Sequence, residues 1–298
     1  MSAAEPAKGP SDEGVKAFYD ERIAGKLGDF THPNPRLEAA VALIGEWAPP
    51  QPRRILEIGC GIGATSWRMA RAWPEAEVVG ADISEQSIAV ARTCFERPNL
   101  RYFQAALGSG APDGPYDLIV MTDVYEHVRP SDRRELHELI RSRLSTDSRL
   151  ILTMPTPAFQ DFLRRQHPGQ VQPVDEDVGV GDVAALAAET GTSLLYYRHV
   201  GIWRYGDYCH VVLGRFDALS VVAARQPVLR GIPALKQAVK RLIGRSSAAV
   251  PARRHYLGPD VPGPAASGAV ERLQVSMSER RRAAERWVRL AKRSAGRS

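Results

Sequence analysis

Apolar positions recur along this chain with two different periods, and the switches between them predict its elements. Over residues 35–47, "PRLEAAVALIGEW" sets Leu37, Val41, Leu43, Ile44 and Trp47 on a broad apolar face, a helix that "APPQP" ends. The preceding "VKAFYDERIAGKL" also reads as a helix, behind a polar start. Short β-branched runs then alternate with helical ones. "RRILEIG", "AEVVGADI", "NLRYFQA", "YDLIVMTD" and "SRLILTMP" are strands, and "ATSWRMARAW", "SEQSIAVARTCF" and "SDRRELHELIRSRL" are helices. This rhythm predicts an α/β protein with a mostly parallel sheet covered on both faces. After Pro155 a long stretch, residues 155–180, intervenes before the helix "DVAALAAETG". Two alternating strands, "TSLLYYRHVG" and "DYCHVVLG", close the pattern. They bring the strand count to seven and make the last strand an antiparallel addition.

Near Arg215 the composition shifts to Pro, Gly, Ala, Ser and Arg, which divides the chain into three segments. Residues 1–48 form an N-terminal tail and helical cap, 49–214 the α/β domain, and 215–298 a basic, partly helical extension. Charge sharpens this division. The net charge of +6 conceals 18 Lys/Arg against 5 Asp/Glu from Arg215 onward, and 22 against 29 before it. Three widely spaced cysteines, Cys60, Cys94 and Cys209, fit neither a disulfide framework nor a zinc cluster. With no apolar run long enough to span a bilayer and no secretory leader at the start, the expected address is the cytoplasm.

The chemistry gathers after the first strand of the domain. "GCGIGA" places Gly59 and Gly61 in a dinucleotide-type loop with Ala64 in the third small position, and an acid, Asp82, ends the next strand. Such a loop lets a ligand touch backbone N–H groups at a helix N-terminus, where negative charge is favoured. Glu57, two residues before the first glycine, argues against pyrophosphate, which it would repel. It suits a ligand with ammonium or sulfonium cations and one carboxylate, as S-adenosylmethionine has. Asp82 stands where a ribose hydroxyl partner is expected.

The series "LEIGCGIG", "GADIS", "YDLIVMTDVYEHV" and "RLILTMPTP" resembles, in order over roughly residues 35–214, the motifs of class I S-adenosylmethionine-dependent methyltransferases. The resemblance implies a Rossmann-like, doubly wound fold. It implies that Gly59, Cys60, Gly61 and Gly63 surround the methionine moiety with Glu57 behind them, and that Asp82 takes the ribose. Ile83 would pack on the adenine, with Gln104 or backbone serving its amino group, and Thr122 would lie at the end of the fourth strand beside the cofactor. Tyr19 resembles an aromatic lid over the cofactor, or else is core.

"DVYEHV" should sit at the carboxyl end of the fourth strand, in the ligand crevice of an open sheet. On one helical turn Asp123, Glu126 and His127 share a face. They read first as a general base: an imidazole oriented by a carboxylate that takes the proton of an acceptor hydroxyl. A divalent metal held by the same three residues is the less favoured reading. It resembles the sites of ubiquinone-pathway and small-RNA methyltransferases and would need a further histidine, for which His167 and His210 are candidates. A third reading has "EHV" merely capping the next helix. The 155–180 insertion, with His167, Gln172, Asp175, Glu176 and Asp177, should cover the acceptor. On the last strand Tyr208 and His210 share one face, where His210 reads as core.

In the basic extension, "ALKQAVKRLIGR" and "ERRRAAERWVRLAKR" fit docking on an anionic membrane, contact with nucleic acid, or a solvated or self-associating tail, the second less favoured than the first. The expectation is an S-adenosylmethionine-dependent enzyme that O-methylates a small molecule or glycan. The alternatives are a metal-assisted enzyme acting on RNA or a quinone precursor, and a catalytically degenerate binding partner.

Overall fold

A computed structural model of the 298-residue chain describes residues 13–14, 18, 20, 22–216 and 268–295. The chain divides into two compact units, residues 1–216 with 265–298, and residues 217–264. All described residues belong to the first. Tyr19 and the segment "ALKQAVKRLIGR" lie outside the described residues.

Two helices, α1 (Ile23–Thr31) and α2 (Pro35–Trp47), precede the sheet. Asn34 caps α2 by accepting from Arg36 N at 3.0 Å, and Pro35 occupies the first turn, where its missing N–H costs nothing. Strands and helices then alternate as β1 (Arg54–Ile58), α3 (Ala64–Ala72), β2 (Glu77–Asp82), α4 (Glu85–Cys94), β3 (Leu100–Gln104), β4 (Tyr116–Thr122), α5 (Arg133–Arg143) and β5 (Leu144–Pro155). The insertion carries α6 (Pro157–Gln166) and leads to α7 (Val180–Thr190), β6 (Ser193–Val200) and β7 (Tyr208–Arg215). The sheet order is β3-β2-β1-β4-β5-β7-β6, with β7 antiparallel to both its neighbours. This is the expected seven-stranded, Rossmann-like arrangement. The chain leaves β1 toward β2 and β3, then returns to place β4 on its other side. The crevice at the carboxyl ends of β1 and β4 is therefore the topological switch point where ligands of such sheets bind.

The middle strands are apolar on both faces: Ile55, Leu56, Val78, Val79, Leu118, Ile119, Val120 and Ile151 are all fully buried. At about 25 cal/mol per Å² of apolar surface removed from water, these side chains supply much of the fold's driving force.

Two features depart from the sequence pattern. The 155–180 segment is not one irregular stretch, because Thr156 caps α6 by accepting from Phe159 N. The boundary at residue 215 closes the sheet, but α8 (Gly268–Leu273) and α9 (Met277–Ala295) return to the same compact unit, α8 on α2 and α3, and α9 on α1 and α4.

Candidate functional site

The loop after β1 is shaped by glycines at positive φ, of which Gly59 (φ 74°) and Gly63 (φ 84°) are the most confined. A Cβ on Gly59 would stand 2.3 Å from Val124 Cγ2, and one on Gly63 would stand 2.5 Å from the Tyr102 hydroxyl. The loop closes on β2: Gly59 N and Cys60 N both donate to Ala81 O, and Gly61 N donates to Asp82 Oδ2 at 2.7 Å. Asp82 Oδ1 accepts from Ser84 N at 2.9 Å. Its carboxylate is thus aimed by two backbone donors and retains lone pairs toward the crevice.

A cavity of about 600 Å³ opens above this loop, and Glu57, Gly59, Cys60, Gly61, Asp82, Ile83 and Thr122 all line it. Gly63 shapes the turn without being part of the wall. Gln104 does not line the cavity either: it is exposed and donates to Ile83 O at 3.3 Å. Ala105, Ala106 and Leu107, which follow β3, form that side instead. Glu57 is buried and accepts from the Ser66 hydroxyl. Burial raises its acid to about 8, well above the usual carboxylate range. A cation entering the cavity would favour its charged form.

Beside it lies a second chamber of about 470 Å³, which shares Arg36, Asp123, His127 and Gln172 with the first. Asp123 has φ 55° and donates its N–H to Thr153 O at 2.8 Å. Residues 125–127 then form a single 3-10 turn rather than the α-turn that the spacing predicts. Even so, Asp123, Glu126 and His127 all reach the chamber. Asp123 forms an ion pair with Arg36, whose guanidinium is raised further by that carboxylate. Burial raises the acid of Asp123 despite Arg36, and raises that of Glu126 to about 8. His127 Nδ1 lies 2.6 Å from Val174 O and 3.0 Å from Asp175 Oδ1, and its Nε2 lies 3.7 Å from Glu126 Oε1. Burial alone would lower its pKa, but Glu126 and Asp175 overcome this and raise it to about 9. The imidazole is therefore mostly protonated at neutral pH.

The insertion closes the chamber, as expected, through α6 and the 170–175 segment, and Glu176 N donates to Glu126 O at 2.8 Å. His167 lines the chamber, whereas His210 is a buried residue of β7 outside the lining. Among the described residues, no group of three or more His, Cys, Asp or Glu is arranged to hold a metal ion.

Sequence reasoning missed Arg36, Lys26, Gln160 and Trp203. Lys26 lines the first cavity near Gly61, with Nζ 3.3 Å from Ser87 Oγ. Arg36 had a signal. A basic residue in the first turn of a helix opposes the macrodipole, which points to an acidic partner elsewhere.

Residues 55–147 match a family model described as a methyltransferase domain. Among curated proteins, trans-aconitate 2-methyltransferase of Rhodopseudomonas palustris (strain BisB5) is 31% identical over 145 residues, 49% of this chain and 50% of that one. The chain spans about half the length of the curated relatives it matches first. Among solved structures, an S-adenosylmethionine-dependent methyltransferase from Mesorhizobium loti has a TM-score of 0.50 at 17% identity, covering 62% of this chain and all of that one. The DhpI–SAH complex has a TM-score of 0.52 at 18% identity, covering 69% and 97%. At these identities the structures speak for the fold alone. Residues 55–147 are thus a methyltransferase domain, set in a fold shared with S-adenosylmethionine-dependent methyltransferases.

Proposed function

We propose that this protein methylates an oxygen of a small molecule or glycan held in the 470 Å³ chamber. The observation that carries this reading is the shared wall. Arg36, Asp123, His127 and Gln172 border both the cofactor cavity and a second chamber lined by ionisable groups. S-adenosylmethionine, when bound, supplies an electrophilic methyl group. Glu57 offers a buried acid to its cationic portion, Asp82 a carboxylate to its ribose, and Lys26 an ammonium suited to its carboxylate.

Methyl transfer needs an acceptor held in line and, for a hydroxyl, a residue that takes the proton. In this reading Arg36 fixes Asp123 at the edge between the two spaces, and Asp123 orients the acceptor. Because Glu126 and Asp175 hold His127 as an imidazolium, the proton acceptor in this reading is Glu126 in its carboxylate form, after its own proton has gone to solvent.

The test is calorimetry with S-adenosylmethionine on the wild type and on Asp82→Ala, followed by an acceptor screen with labelled methyl donor. The expected result is binding to the wild type, at least 10-fold weaker binding to Asp82→Ala, and label transferred to a hydroxyl compound. Binding to neither protein would leave a scaffold without catalysis and would end this reading.

A further inference from the structure

We propose that the acceptor chamber selects a neutral, ring-shaped polyol of the glycosyl class and rejects anionic acceptors. The inference rests on the preceding reading of the chamber as the acceptor site. It departs from the carboxylate named in the relatives' trans-aconitate.

The floor of the chamber is short of donors. Asp123 Oδ1, Glu126 Oε2, Gln160 Oε1 and Gln172 Oε1 are buried and have no hydrogen-bond partner among the described residues, and all four residues line this one chamber. They come from three places in the chain: the end of β4 with its turn, α6, and the 170–175 segment. Glu126 and Gln160 are each only 1% exposed. Buried acceptors left unpaired are costly, so a ligand that carries several O–H donors gains what the protein leaves unmade.

Charge decides among donor-rich ligands. The floor holds three acids, Asp123, Glu126 and Asp175, and two cations, Arg36 and His127, each already paired with an acid. A carboxylate acceptor would find both floor cations committed to acids, with only the rim residue Arg204 left to offset it. An ammonium would meet Arg36, His127 and the rim residue Arg204, whose guanidinium lies 4.3 Å from the Phe162 ring centroid. The Arg36–Asp123 and His127–Asp175 pairs cancel, and Glu126 holding its proton, which its raised pKa favours at neutral pH, adds one donor to a floor that still has Asp123 Oδ1, Gln160 Oε1 and Gln172 Oε1 to satisfy. A neutral ligand suits that state best.

The walls supply the rest. Phe159 packs on Phe162 at 6.0 Å, on Trp203 at 6.5 Å and on Tyr208 at 6.2 Å between ring centroids. Trp203 is 52% exposed yet held in place, because its N–H and those of Ile202 and Arg204 all donate to the buried Asp207 carboxylate at 2.8–2.9 Å. Aromatic rings and unpaired buried acceptors in one chamber match a pyranose, which has an apolar C–H face and an equatorial rim of hydroxyls. A flat aromatic acceptor would use the wall and leave the floor unpaired.

The experiment uses the full chain saturated with S-adenosylhomocysteine. Its probes are a panel of neutral methyl glycosides covering the common hexose and deoxyhexose stereochemistries, with trans-aconitate, catechol and glucosamine as comparisons. Binding is read by calorimetry and saturation-transfer NMR. At least one neutral glycoside is expected to bind at least 10-fold more tightly than any of the three comparisons. Gln160→Leu and Trp203→Ala should each weaken it roughly 10-fold while S-adenosylhomocysteine affinity holds. Should Gln160→Leu fail to fold, the exposed Trp203 still provides the test. If S-adenosylhomocysteine binds but no glycoside does, or trans-aconitate, catechol or glucosamine binds better than all of them, the inference is overturned. If S-adenosylhomocysteine itself does not bind, the preceding reading falls instead.

Discussion

Single residues here do work that their neighbours dictate, and Glu57 is the clearest case. Its acid is raised to about 8 by burial, so at pH 7 it is mostly protonated before a ligand arrives. A cationic cofactor lowers that pKa, and binding should therefore release a proton. The sign follows: affinity for S-adenosylmethionine rises as pH approaches about 8 and levels off above it. Calorimetry at pH 7 in buffers of different ionisation enthalpy should report net release of up to one proton, absent in Glu57→Gln. Proton uptake would contradict this account. The Glu126–His127 pair gives a second pH signature. Its members titrate near 8 and 9 and must lose a proton to act as a base, so kcat/KM should climb from pH 7 to pH 9. Glu126→Gln should flatten that limb and cut the rate at pH 8 on the order of 100-fold. A flat wild-type profile would remove the base from the mechanism.

At the scale of elements, the sheet was legible, and so was the outline of the proposed acceptor chamber, but several of the side chains that line it were not. Strands β1, β2, β4 and the second half of β5 declare themselves because they are buried on both faces, which demands unbroken runs such as "LIVM" and "LILTM", while the edge strand β3 alternates buried and exposed residues. The glycine loop and Asp82 were equally plain, since a backbone at positive φ leaves a compositional mark. Helix α6 did leave one that was passed over: Phe159, Phe162 and Leu163 recur at i, i+3 and i+4 behind the Thr156–Pro157 start, but the run is short, and its apolar face lines a chamber rather than the core. The Arg36–Asp123 pair spans 87 positions, and no local spacing could have joined them. Nor could sequence separate Gln104 from the cavity wall, because its exposed amide bonds instead to Ile83 O, 21 positions away. The 201–207 turn shows what such an element is for. Asp207→Ala would release three backbone donors and with them the indole of Trp203. Acceptor KM should rise about 10-fold with little change in cofactor affinity, since the turn lies on the acceptor side only. Equal losses in both would show that the turn holds the whole crevice rather than the acceptor platform.

Over the whole molecule, the basic C-terminal helix α9 is first of all a brace. Arg280 is 3% exposed, with its guanidinium donating to Phe30 O and to Glu38 and lying 5.2 Å from the Phe30 ring centroid. Glu38 also receives both terminal nitrogens of Arg68, at 3.1 and 2.7 Å. Burial would raise the acid of Glu38, but Arg68 and Arg280 together hold it below the usual range. Farther along, Arg71 meets Glu279 at 2.7 Å and Arg272 donates to Ala72 O at 2.9 Å. The Arg280 contacts tie α9 to α1 and α2, the helices that carry Lys26 to the first cavity and Arg36 to both cavities, and the last two tie the C-terminal helices to α3. Arg281, Arg282, Arg286 and Arg289 remain exposed on the outer face of α9, so anchoring inward leaves the basic outer surface available for a separate role. Arg280→Met keeps the aliphatic packing and removes the charge-assisted hydrogen bonds, which should cost about 2 kcal/mol of stability. The same substitution should weaken S-adenosylmethionine binding measurably, although Arg280 does not line the cofactor cavity. Acid should mimic it in the wild type: Glu38 is depressed in the fold, so its contribution is present above the unfolded carboxylate value near 4.5 and fades as pH falls below it. The decisive measurement pairs a urea melt with cofactor calorimetry on Arg280→Met and on Arg282→Met, an exposed neighbour. Only the first should lose stability and affinity together. Loss of stability without loss of affinity would mean that α9 holds the body but does not set the site.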